Sequence, residues 1–267
     1  MRDFIELQYR QYGRDPLYRQ KHSHSDCYEF IQPTTDGGTV LIRDRVYPLK
    51  RGAVYVINAV NIHCTNPDDI DSYERNKLIV AKDFADRMLE MMELDDFARS
   101  VLQEAGGGCC IPDAAAAEKL DSEFRRCAGA ASGGMLAKAT AVSAFSRILL
   151  ILAGLDAGEA VSSTHISRIL DYINRHICEP VTIDEIATGV NLSKFYLCRL
   201  FREKTGMTLM DYILERRLSM AKVRLADGSG TILEIAADCG FSSGSYFCRV
   251  FREKEGMTPR EYRKGHR

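Results

Sequence analysis

Apolar residues recur with the period of an amphipathic helix in the C-terminal part of the chain. Three apolar residues within 197–201 stand at positions i, i+3 and i+4, which places them on one stripe of a helix. Residues 247–251 repeat this spacing fifty positions later. The pattern predicts two equivalent helices, each with a buried apolar stripe and an exposed polar face.

These two helices belong to a longer internal repeat. Residues 197–208 read LCRLFREKTGMT, and residues 247–258 read FCRVFREKEGMT. A repeat solenoid needs roughly three or more units to bury a continuous core. Two units therefore indicate two small modules that act side by side, and we expect the exposed face that they share to be the functional one.

A short helix is predicted in front of each repeated helix. Thr182 with Glu185, and Thr231 with Glu234, have the spacing of a capping box, in which the hydroxyl and the carboxylate bond to backbone amides at a helix start. Each box is expected to open a helix of about two turns.

A tight turn is predicted between the two helices of each module. Asn191 in the first turn and Gly240 in the second are residue types that tolerate the left-handed backbone that such a turn requires. Each module is therefore predicted to be a helix-turn-helix unit. The second turn is one residue longer than the first, so the second repeated helix is expected to lie slightly differently.

Both repeated helices are followed by end signals. Gly206 and Gly256 suit the position just after a helix, and Thr208 and Thr258 suit the cap of the next one. Pro259 then stands at a first helical position, where its missing amide costs nothing.

One long helix is predicted between the modules, from residue 209 to about residue 225. At 1.5 Å per residue it spans roughly 25 Å. The major groove of B-DNA recurs about every 34 Å along one face of a duplex. Two helices held at such a separation could enter successive major grooves.

The N-terminal part of the chain has a different pattern. Short alternating or β-rich runs are broken by turn signals such as Gly37-Gly38 and Arg51-Gly52. Many short strands with such breaks are typical of a β-sandwich or a small barrel. The predicted strands cover residues 28–32, 39–42, 46–49, 53–57 and 77–80.

Helical periodicity returns before the linker. The segments are rich in Ala, Leu, Met, Glu and Arg, and glycine-containing stretches at 106–108 and 131–134 separate them. They are expected to lie against the strands. The predicted helices cover residues 81–102, 114–127 and 135–155.

The last of these helices carries an apolar stripe of Phe145, Ile148, Leu149 and Leu152. The stripe could pack within the chain or against a second copy of it. Both interpretations remain open from the residues alone.

These patterns divide the chain into three parts. Residues 1–155 are predicted to form the first domain, residues 156–163 a flexible linker, and residues 164–267 the second domain. The predicted fold class is α+β, with an N-terminal β-barrel and flanking helices followed by an all-α domain that contains two helix-turn-helix units.

Charge supports a nucleic-acid partner for the second domain. Residues 163–267 carry 17 Lys and Arg against 13 Asp and Glu, whereas the rest of the chain carries 19 against 24, for a net charge of −1. Arg199 and Arg249 hold equivalent positions in the two modules, which favours base recognition over a solvated surface role, since an arginine fork fits a guanine edge. Phosphate contacts are expected from Lys194, Arg202, Arg252 and Lys254.

Cysteine usage and hydropathy indicate the compartment. The nine cysteines include no C-x-x-C pair, which favours reduced thiols over a zinc site or a disulfide framework. No signal peptide follows Met1, and the longest apolar run, 148–155, is far shorter than the roughly 18 residues that span a bilayer. A cytoplasmic protein with no membrane partner is expected.

The C-terminal motifs resemble those of a known family. Gly240-Phe241, the run 245–252, the run 256–259 and Tyr262-Arg263 are similar to the signature of the AraC/XylS family of bacterial transcription regulators. The resemblance covers residues 162–267, and Asn191 departs from the glycine that is usual in the family. It implies base contacts from the exposed positions of both repeated helices: Phe195, Cys198, Arg199, Gly244, Ser245, Cys248 and Arg249.

The N-terminal domain resembles a cupin barrel, which this family often uses as its effector sensor. The resemblance rests on His22, His24, Glu29, Gly52 and His63. The second cupin motif departs from the usual pattern, because positions 58 and 60 hold Asn and Val where Pro and Gly are usual.

Three interpretations of His22, His24, Glu29 and His63 remain open. Three imidazoles and a carboxylate could bind Fe, Mn, Ni or Zn. They could instead line a pocket for a small organic effector, as in regulatory cupins, or act as plain hydrogen-bonding groups. No cofactor is expected, and a transition metal bound in this domain is the alternative.

The sequence thus predicts a DNA-binding transcription regulator, not an enzyme, that is controlled by a small-molecule effector in the N-terminal domain. The expected partners are promoter operator DNA, the effector, RNA polymerase and a second copy of the chain. Two alternatives are a metal-dependent cupin enzyme with a DNA-binding tail and a constitutive regulator whose barrel serves only to dimerise.

Overall fold

The computed structural model describes residues 4–13, 27–58, 60–98, 101, 107–130, 135–155, 164–228 and 230–265. Its N-terminal part forms two antiparallel sheets, one with the strand order β1-β7-β2-β5-β8 and one with the order β4-β3-β6. The strands are β1 (Phe4–Tyr12), β2 (Cys27–Pro33), β3 (Gly38–Ile42), β4 (Arg45–Pro48), β5 (Val54–Asn58), β6 (His63–Pro67), β7 (Glu74–Ala81) and β8 (Gly107–Cys110).

The large five-stranded sheet has a core on each of its faces, because side chains alternate along a strand. On β2, Phe30 joins a core with the N-terminal helices, whereas Ile31 joins a second core between the two sheets. Val40 and Tyr47 of the small three-stranded sheet complete that second core. The N-terminal part is therefore a layered structure of small sheet, large sheet and helices.

The five predicted strands are confirmed as β2, β3, β4, β5 and β7, while β1, β6 and β8 were not predicted. The prediction that 106–108 merely separates helices was wrong for Gly107, which starts β8 and pairs with Ile57. A Cβ atom at Gly107 would lie 2.6 Å from the Val56 carbonyl oxygen, so this close pairing needs glycine. The described strands form two sheets that are not closed into one, so the cupin barrel stays an expectation.

Helices cover the outer face of the large sheet. They are α1 (Lys82–Met91), α2 (Asp95–Phe97), α3 (Ala114–Gly129) and α4 (Met135–Ala153). The predicted helix at 81–102 is broken after Met91, since Glu93 adopts a left-handed backbone with φ of 54°. The other two predicted helices are confirmed by α3 and α4.

The apolar stripe of α4 packs inside the chain. Phe145, Ile148, Leu149 and Leu152 are fully buried, and the Phe145 ring meets the Phe30 ring edge-on at 5.2 Å. The alternative that this stripe forms a seam with a second copy was therefore wrong. By length and composition α4 could also cross a membrane, but core helices of soluble proteins meet the same criteria, and this stripe is occupied by the sheet.

The C-terminal part is all-helical, as predicted. The predicted linker at 156–163 lies outside the described residues. The helices are α5 (Thr164–Arg175), α6 (Ile183–Gly189), α7 (Lys194–Thr205), α8 (Leu209–Ala226), α9 (Ile232–Asp238), α10 (Gly244–Glu255) and α11 (Pro259–Gly265). Helix α8 confirms the long connecting helix, and α11 begins at Pro259 as expected.

Two separate cores hold the C-terminal helices. The first module, which we define as α5, α6, α7 and the start of α8, shares its core with the small sheet through Leu41, Val46, Ile62 and Cys64. The second module, the end of α8 with α9, α10 and α11, has a core of its own. None of the nine cysteines, which all lie in the described part of the chain, forms a disulfide.

The burial of α4 predicts the outcome of truncating its stripe. We expect Phe145→Ala to lower the free energy of unfolding by about 3–5 kcal/mol, because it leaves a cavity beneath the large sheet. Leu150→Ala on the exposed face of the same helix should change it by less than about 0.5 kcal/mol. Urea unfolding at two protein concentrations measures both. Loss of stability only at low protein concentration would mean that the stripe lies between copies.

Candidate functional site

Helices α7 and α10 are built from the same local parts, and we call them the reading helices. The Ser193 side chain accepts a hydrogen bond from the Tyr196 amide at 3.3 Å, and Ser243 accepts one from the Tyr246 amide at 3.1 Å. Each helix ends at a glycine with a left-handed backbone, Gly206 or Gly256. The two helices therefore start and stop at equivalent residues.

The turns before the reading helices match the sequence prediction. Asn191 has φ of 56° and Gly240 has φ of 80°, so both occupy the left-handed region. Asn at 191, the departure from the family pattern, is thus accommodated. Ser242 is the additional residue of the second turn, because it separates Phe241 from the Ser243 cap.

The short helices α6 and α9 are held by the predicted capping boxes. In each, the threonine side chain accepts from the backbone amide three residues later, and the glutamate accepts from the threonine amide at 2.7 Å. These backbone hydrogen bonds lower the pKa values of the Glu185 and Glu234 carboxyl groups. Helices α6 and α9 are therefore each fixed at their start. Each is followed by the turn that positions the reading helix.

The outward faces of the reading helices carry the predicted residues. Phe195 is 91% exposed, so its ring is available for contact with a partner. The apolar stripe on the opposite face is buried, as predicted. Of the other candidates, Lys194, Arg199, Arg202, Ser245, Arg249 and Arg252 are exposed, and Cys198, Gly244 and Cys248 are half-buried.

A tyrosine supports the equivalent arginine in both modules. The guanidinium carbon of Arg199 lies 5.7 Å from the centre of the Tyr196 ring, and that of Arg249 lies 5.6 Å from the Tyr246 ring. A cation over an aromatic face is attracted by the ring. The contact orients each arginine while leaving it exposed. The two tyrosines were missed from the sequence, although their equal positions in the repeat were a usable signal.

The modules differ at two of the basic positions. Lys194 pairs with Asp184 at 2.8 Å, whereas its counterpart Gly244 has no side chain. Lys254 is half-buried and pairs with Glu215 of α8 at 2.7 Å. The phosphate contact expected from Lys254 stays a prediction, and in the free chain its ammonium is turned toward the connecting helix.

The N-terminal candidates are only partly described, since His22 and His24 lie outside the described residues. Glu29 is buried on the face of the large sheet that meets the small sheet. The His63 Nε2 atom lies 3.6 Å from one Glu29 oxygen, and the Lys77 Nζ atom lies 3.3 Å from the other. Lys77 was missed from the sequence, although its place two residues before Ile79 in β7 puts it on the inner face. We call these three residues the inter-sheet cluster.

The two cations control the protonation of Glu29. Burial acts to raise the pKa of the Glu29 carboxyl group, but His63 and Lys77 outweigh it and lower that pKa to about 2. Burial likewise acts to lower the pKa of the His63 imidazole, and Glu29 outweighs it, so that the pKa is raised. The cluster therefore holds an ionised carboxylate between the Lys77 ammonium and an imidazole whose protonated form is favoured.

The described residues of the cluster do not fit a metal centre. The Lys77 ammonium already occupies one side of the Glu29 carboxylate and would repel a second cation. Within the described ranges, no three His, Cys, Asp or Glu side chains come together as metal ligands.

Known proteins are similar to this chain over its C-terminal modules. A helix-turn-helix domain family model matches residues 186–265. The regulatory protein SoxS of Salmonella typhimurium is 42% identical over 98 residues, which are 37% of this chain and 92% of SoxS. The transposon Tn10 TetD protein of Escherichia coli is 37% identical over 38% of this chain and 74% of its own length.

Solved structures match the same region. An AraC-type DNA-binding domain-containing regulator from Chromobacterium violaceum is 35% identical, with 39% of this chain and 94% of that chain covered and a TM-score of 0.37. Because the chain spans nine tenths of SoxS at more than 40% identity and carries both helix-turn-helix units, the family expected from the motifs is confirmed. This chain belongs to the AraC/XylS family of DNA-binding transcription regulators.

Proposed function

We propose that this regulator reads promoter DNA with both reading helices and is controlled by a small molecule bound in its N-terminal part. It acts as a regulator and not as an enzyme. The observation that carries the DNA-binding half is the repeated pair of exposed arginines, Arg199 and Arg249, each oriented by a tyrosine. One such arginine is a common surface residue, but two in equivalent positions of a repeat indicate a shared task.

Each exposed residue of the reading helices suits one kind of contact. Arg199 and Arg249 can each donate two hydrogen bonds to O6 and N7 of guanine. Phe195 suits the methyl group of thymine, because it offers a large apolar surface that the described part of the chain leaves mostly uncovered. Phosphate contacts are assigned to Lys194, Arg202 and Arg252, and the small or half-buried positions Cys198, Gly244, Ser245 and Cys248 allow close approach to the base edges.

The connecting helix sets the reach of the pair. Helix α8 has 18 residues, so it is about 27 Å long. This length, together with the width of the modules at its ends, is compatible with successive major grooves about 34 Å apart. Both modules would then bind one face of the duplex, each reading one half of the site.

Loss of either arginine should weaken and broaden recognition. We expect Arg199→Ala and Arg249→Ala each to cost about 1–3 kcal/mol on a duplex that the wild-type chain selects from a random library. Each variant should lose base specificity in one half of that duplex, and the two variants should affect different halves. Binding titrations on the selected duplex and on versions changed base by base measure both effects.

Two controls separate base contacts from charge. Arg202→Ala should weaken binding to all sequences alike and reduce the slope of affinity against salt by about one. Arg87→Ala, at an exposed position of α1, should leave binding unchanged. An equal loss for Arg199→Ala on selected and random duplexes would contradict its role as a base contact.

The effector site is assigned to the inter-sheet cluster. Glu29, His63 and Lys77 lie between the sheets and bring two cationic groups and one carboxylate together. Charged groups held in a low-dielectric interior give strong orientation to a polar ligand. His22 and His24 stay candidates for the same site on the sequence argument alone.

A ligand of this site should stabilise the folded chain. When small polar metabolites are screened by thermal unfolding, a true ligand at 100 times its Kd adds about 2.7 kcal/mol of stability. We expect Lys77→Met to abolish the shift in the midpoint temperature for that ligand, whereas Lys50→Met, at an exposed lysine, should retain it. A shift that survives Lys77→Met would place the ligand elsewhere, and a screen with no ligand would favour a constitutive regulator.

The inter-sheet cluster also predicts how stability depends on pH. Glu29 has a folded pKa of about 2, below its ordinary 4.5, so its contribution is present above about pH 4.5 and is lost as the pH falls toward 2. The pKa of His63 is raised above its ordinary 6.5, so its contribution is present below about pH 6.5 and is lost as the pH rises through the raised value.

We therefore expect Glu29→Gln to lower the free energy of unfolding most between about pH 4.5 and 6.5, by about 1–3 kcal/mol. Urea unfolding of both proteins at about pH 3, 5.5 and 8.5 measures the difference. The effect should shrink at the acid end, and at the basic end only the contribution from Lys77 should remain. A difference that is constant across this range would contradict the assigned ion pairs.

Assembly and location complete the proposal. A homodimer, contact with RNA polymerase and a cytoplasmic location follow from the family resemblance. Because the Phe145 stripe is buried, a dimer through α4 would have to use its other face. Leu136 and Leu150 are exposed there and stand two heptads apart, as residues of a helix–helix seam do.

A further inference from the structure

The first reading helix receives its C-terminal cap from the N-terminal part of the chain. The last carbonyl groups of a helix have no partner within the helix. In α7, the Asn66 side-chain amide donates to the Glu203 carbonyl at 2.8 Å, and the Thr39 hydroxyl donates to the Lys204 carbonyl at 2.8 Å. Thr39 and Asn66 face each other on β3 and β6 of the small sheet.

Apolar packing surrounds these two hydrogen bonds. Leu41, Ile62 and Cys64 of the small-sheet region are buried in the same core as Phe201 of α7. Further along, the Tyr212 hydroxyl of α8 donates to the Arg43 carbonyl at 3.0 Å. The small sheet and the first module are thus fastened at several points, and α7 cannot tilt without disturbing the sheet.

Among the described residues, no side chain of the N-terminal part caps the second reading helix, and the second module touches that part through α8, where the Ser219 hydroxyl donates to the Val60 carbonyl at 2.7 Å. The corresponding end of α10 is tied to α8, because Lys254 pairs with Glu215 and the neighbouring Glu255 pairs with Lys222 at 3.1 Å. A Cβ atom added at Gly256 would meet nothing within 4 Å, whereas one at Gly206 would lie 3.1 Å from the Cys64 sulfur. The C-terminal ends of the two reading helices are thus equivalent in sequence, but different neighbours hold them in place.

Strand β6 connects this attachment to the inter-sheet cluster. Successive side chains of a strand point to opposite faces of the sheet. His63 points toward Glu29, and the next residue, Cys64, is buried in the core of the first module. Asn66, two residues later, caps α7. A displacement of His63 would therefore be carried along one short strand to the reading helix.

We propose that Thr39 and Asn66 are positioning residues for the first reading helix, and that the state of the inter-sheet cluster reaches the first reading helix through β6 but has no such direct path to the second reading helix. The inference rests on the proposed function for the effector site and for the reading of one half of the operator by each helix. The inter-sheet cluster would then control the affinity for one half of the operator, while the affinity for the other half stays constant.

The test uses the full chain and the duplex that it selects from a random library, with versions in which one half is scrambled. Thr39→Val removes the hydroxyl and keeps the branched shape, whereas Thr39→Ser keeps the hydroxyl. We expect Thr39→Val combined with Asn66→Ala to weaken the contribution of the first half about 5- to 150-fold, which is the usual range of coupling between sites. The contribution of the second half should change less than about twofold, and Thr39→Ser should bind as the wild type does.

Substitutions at the two helix-ending glycines allow a comparison in which the backbone strain is the same. Gly206→Ala and Gly256→Ala impose the same left-handed strain at equivalent helix ends, but only the first inserts a methyl group against Cys64 and Asn66. Gly206→Ala should therefore reduce binding to the first half more than Gly256→Ala reduces binding to the second. Glu29→Gln should likewise act on the first half only. Equal effects on both halves, or no effect of any variant, would overturn the inference.

Hydrogen exchange gives a readout that needs neither DNA nor effector. In Thr39→Val with Asn66→Ala, amides of the last turns of α7 should exchange at least about tenfold faster, while those of α10 keep their wild-type rates. Unchanged exchange in α7 would overturn the inference even if the chain binds DNA. Failure of the wild-type chain to select any duplex would instead refute the proposed DNA reading and leave the exchange result to decide the attachment.

Discussion

The packing of the small sheet on the first helix-turn-helix unit is the interaction on which the arrangement of the whole chain depends. Burial of one Leu, Ile or Phe side chain contributes about 1.5–3 kcal/mol, whereas a net hydrogen bond contributes about 0.5–1.5 kcal/mol. The shared core of Leu41, Ile62 and Phe201 therefore supplies most of the stability of this contact. The hydrogen bonds from Thr39 and Asn66 supply direction, because they fix where the end of α7 must lie.

The same core explains how two copies of one motif came to differ. Thr205 is fully buried at the end of α7, where its hydroxyl donates to the Phe201 carbonyl at 2.7 Å. The equivalent Glu255 is paired with Lys222 instead. A carboxylate at position 205 would be buried without such a lysine, at a cost that its burial could not offset. Each module therefore carries the residue that its own neighbour requires.

Sequence patterns predicted the parts of the site whose cause is local. The capping boxes, the left-handed Asn191 and the helix-ending glycines depend on a few adjacent residues, and all are present in the structure. Strand β6 was missed because its polar sequence becomes a strand only through its pairing with β3. The alternation of β7 does place Lys77 on the inner face, but a lysine there is explained only by its pairing with Glu29 on the neighbouring strand. Long-range pairing of this kind leaves no periodic signal in the chain.

The division of charge orients the regulator on its target. The C-terminal part has a small excess of basic residues, 17 against 13, and the rest of the chain has an acidic excess, 24 against 19. The field of a duplex attracts the first part and repels the second, so encounters that present the reading helices are favoured. Because this basic excess is modest, non-specific attraction to phosphates is limited. Base edges supply the choice of site, so a change in the angle of α7 would act on that choice directly, and the proposed attachment of the small sheet to α7 would give the N-terminal part control over it.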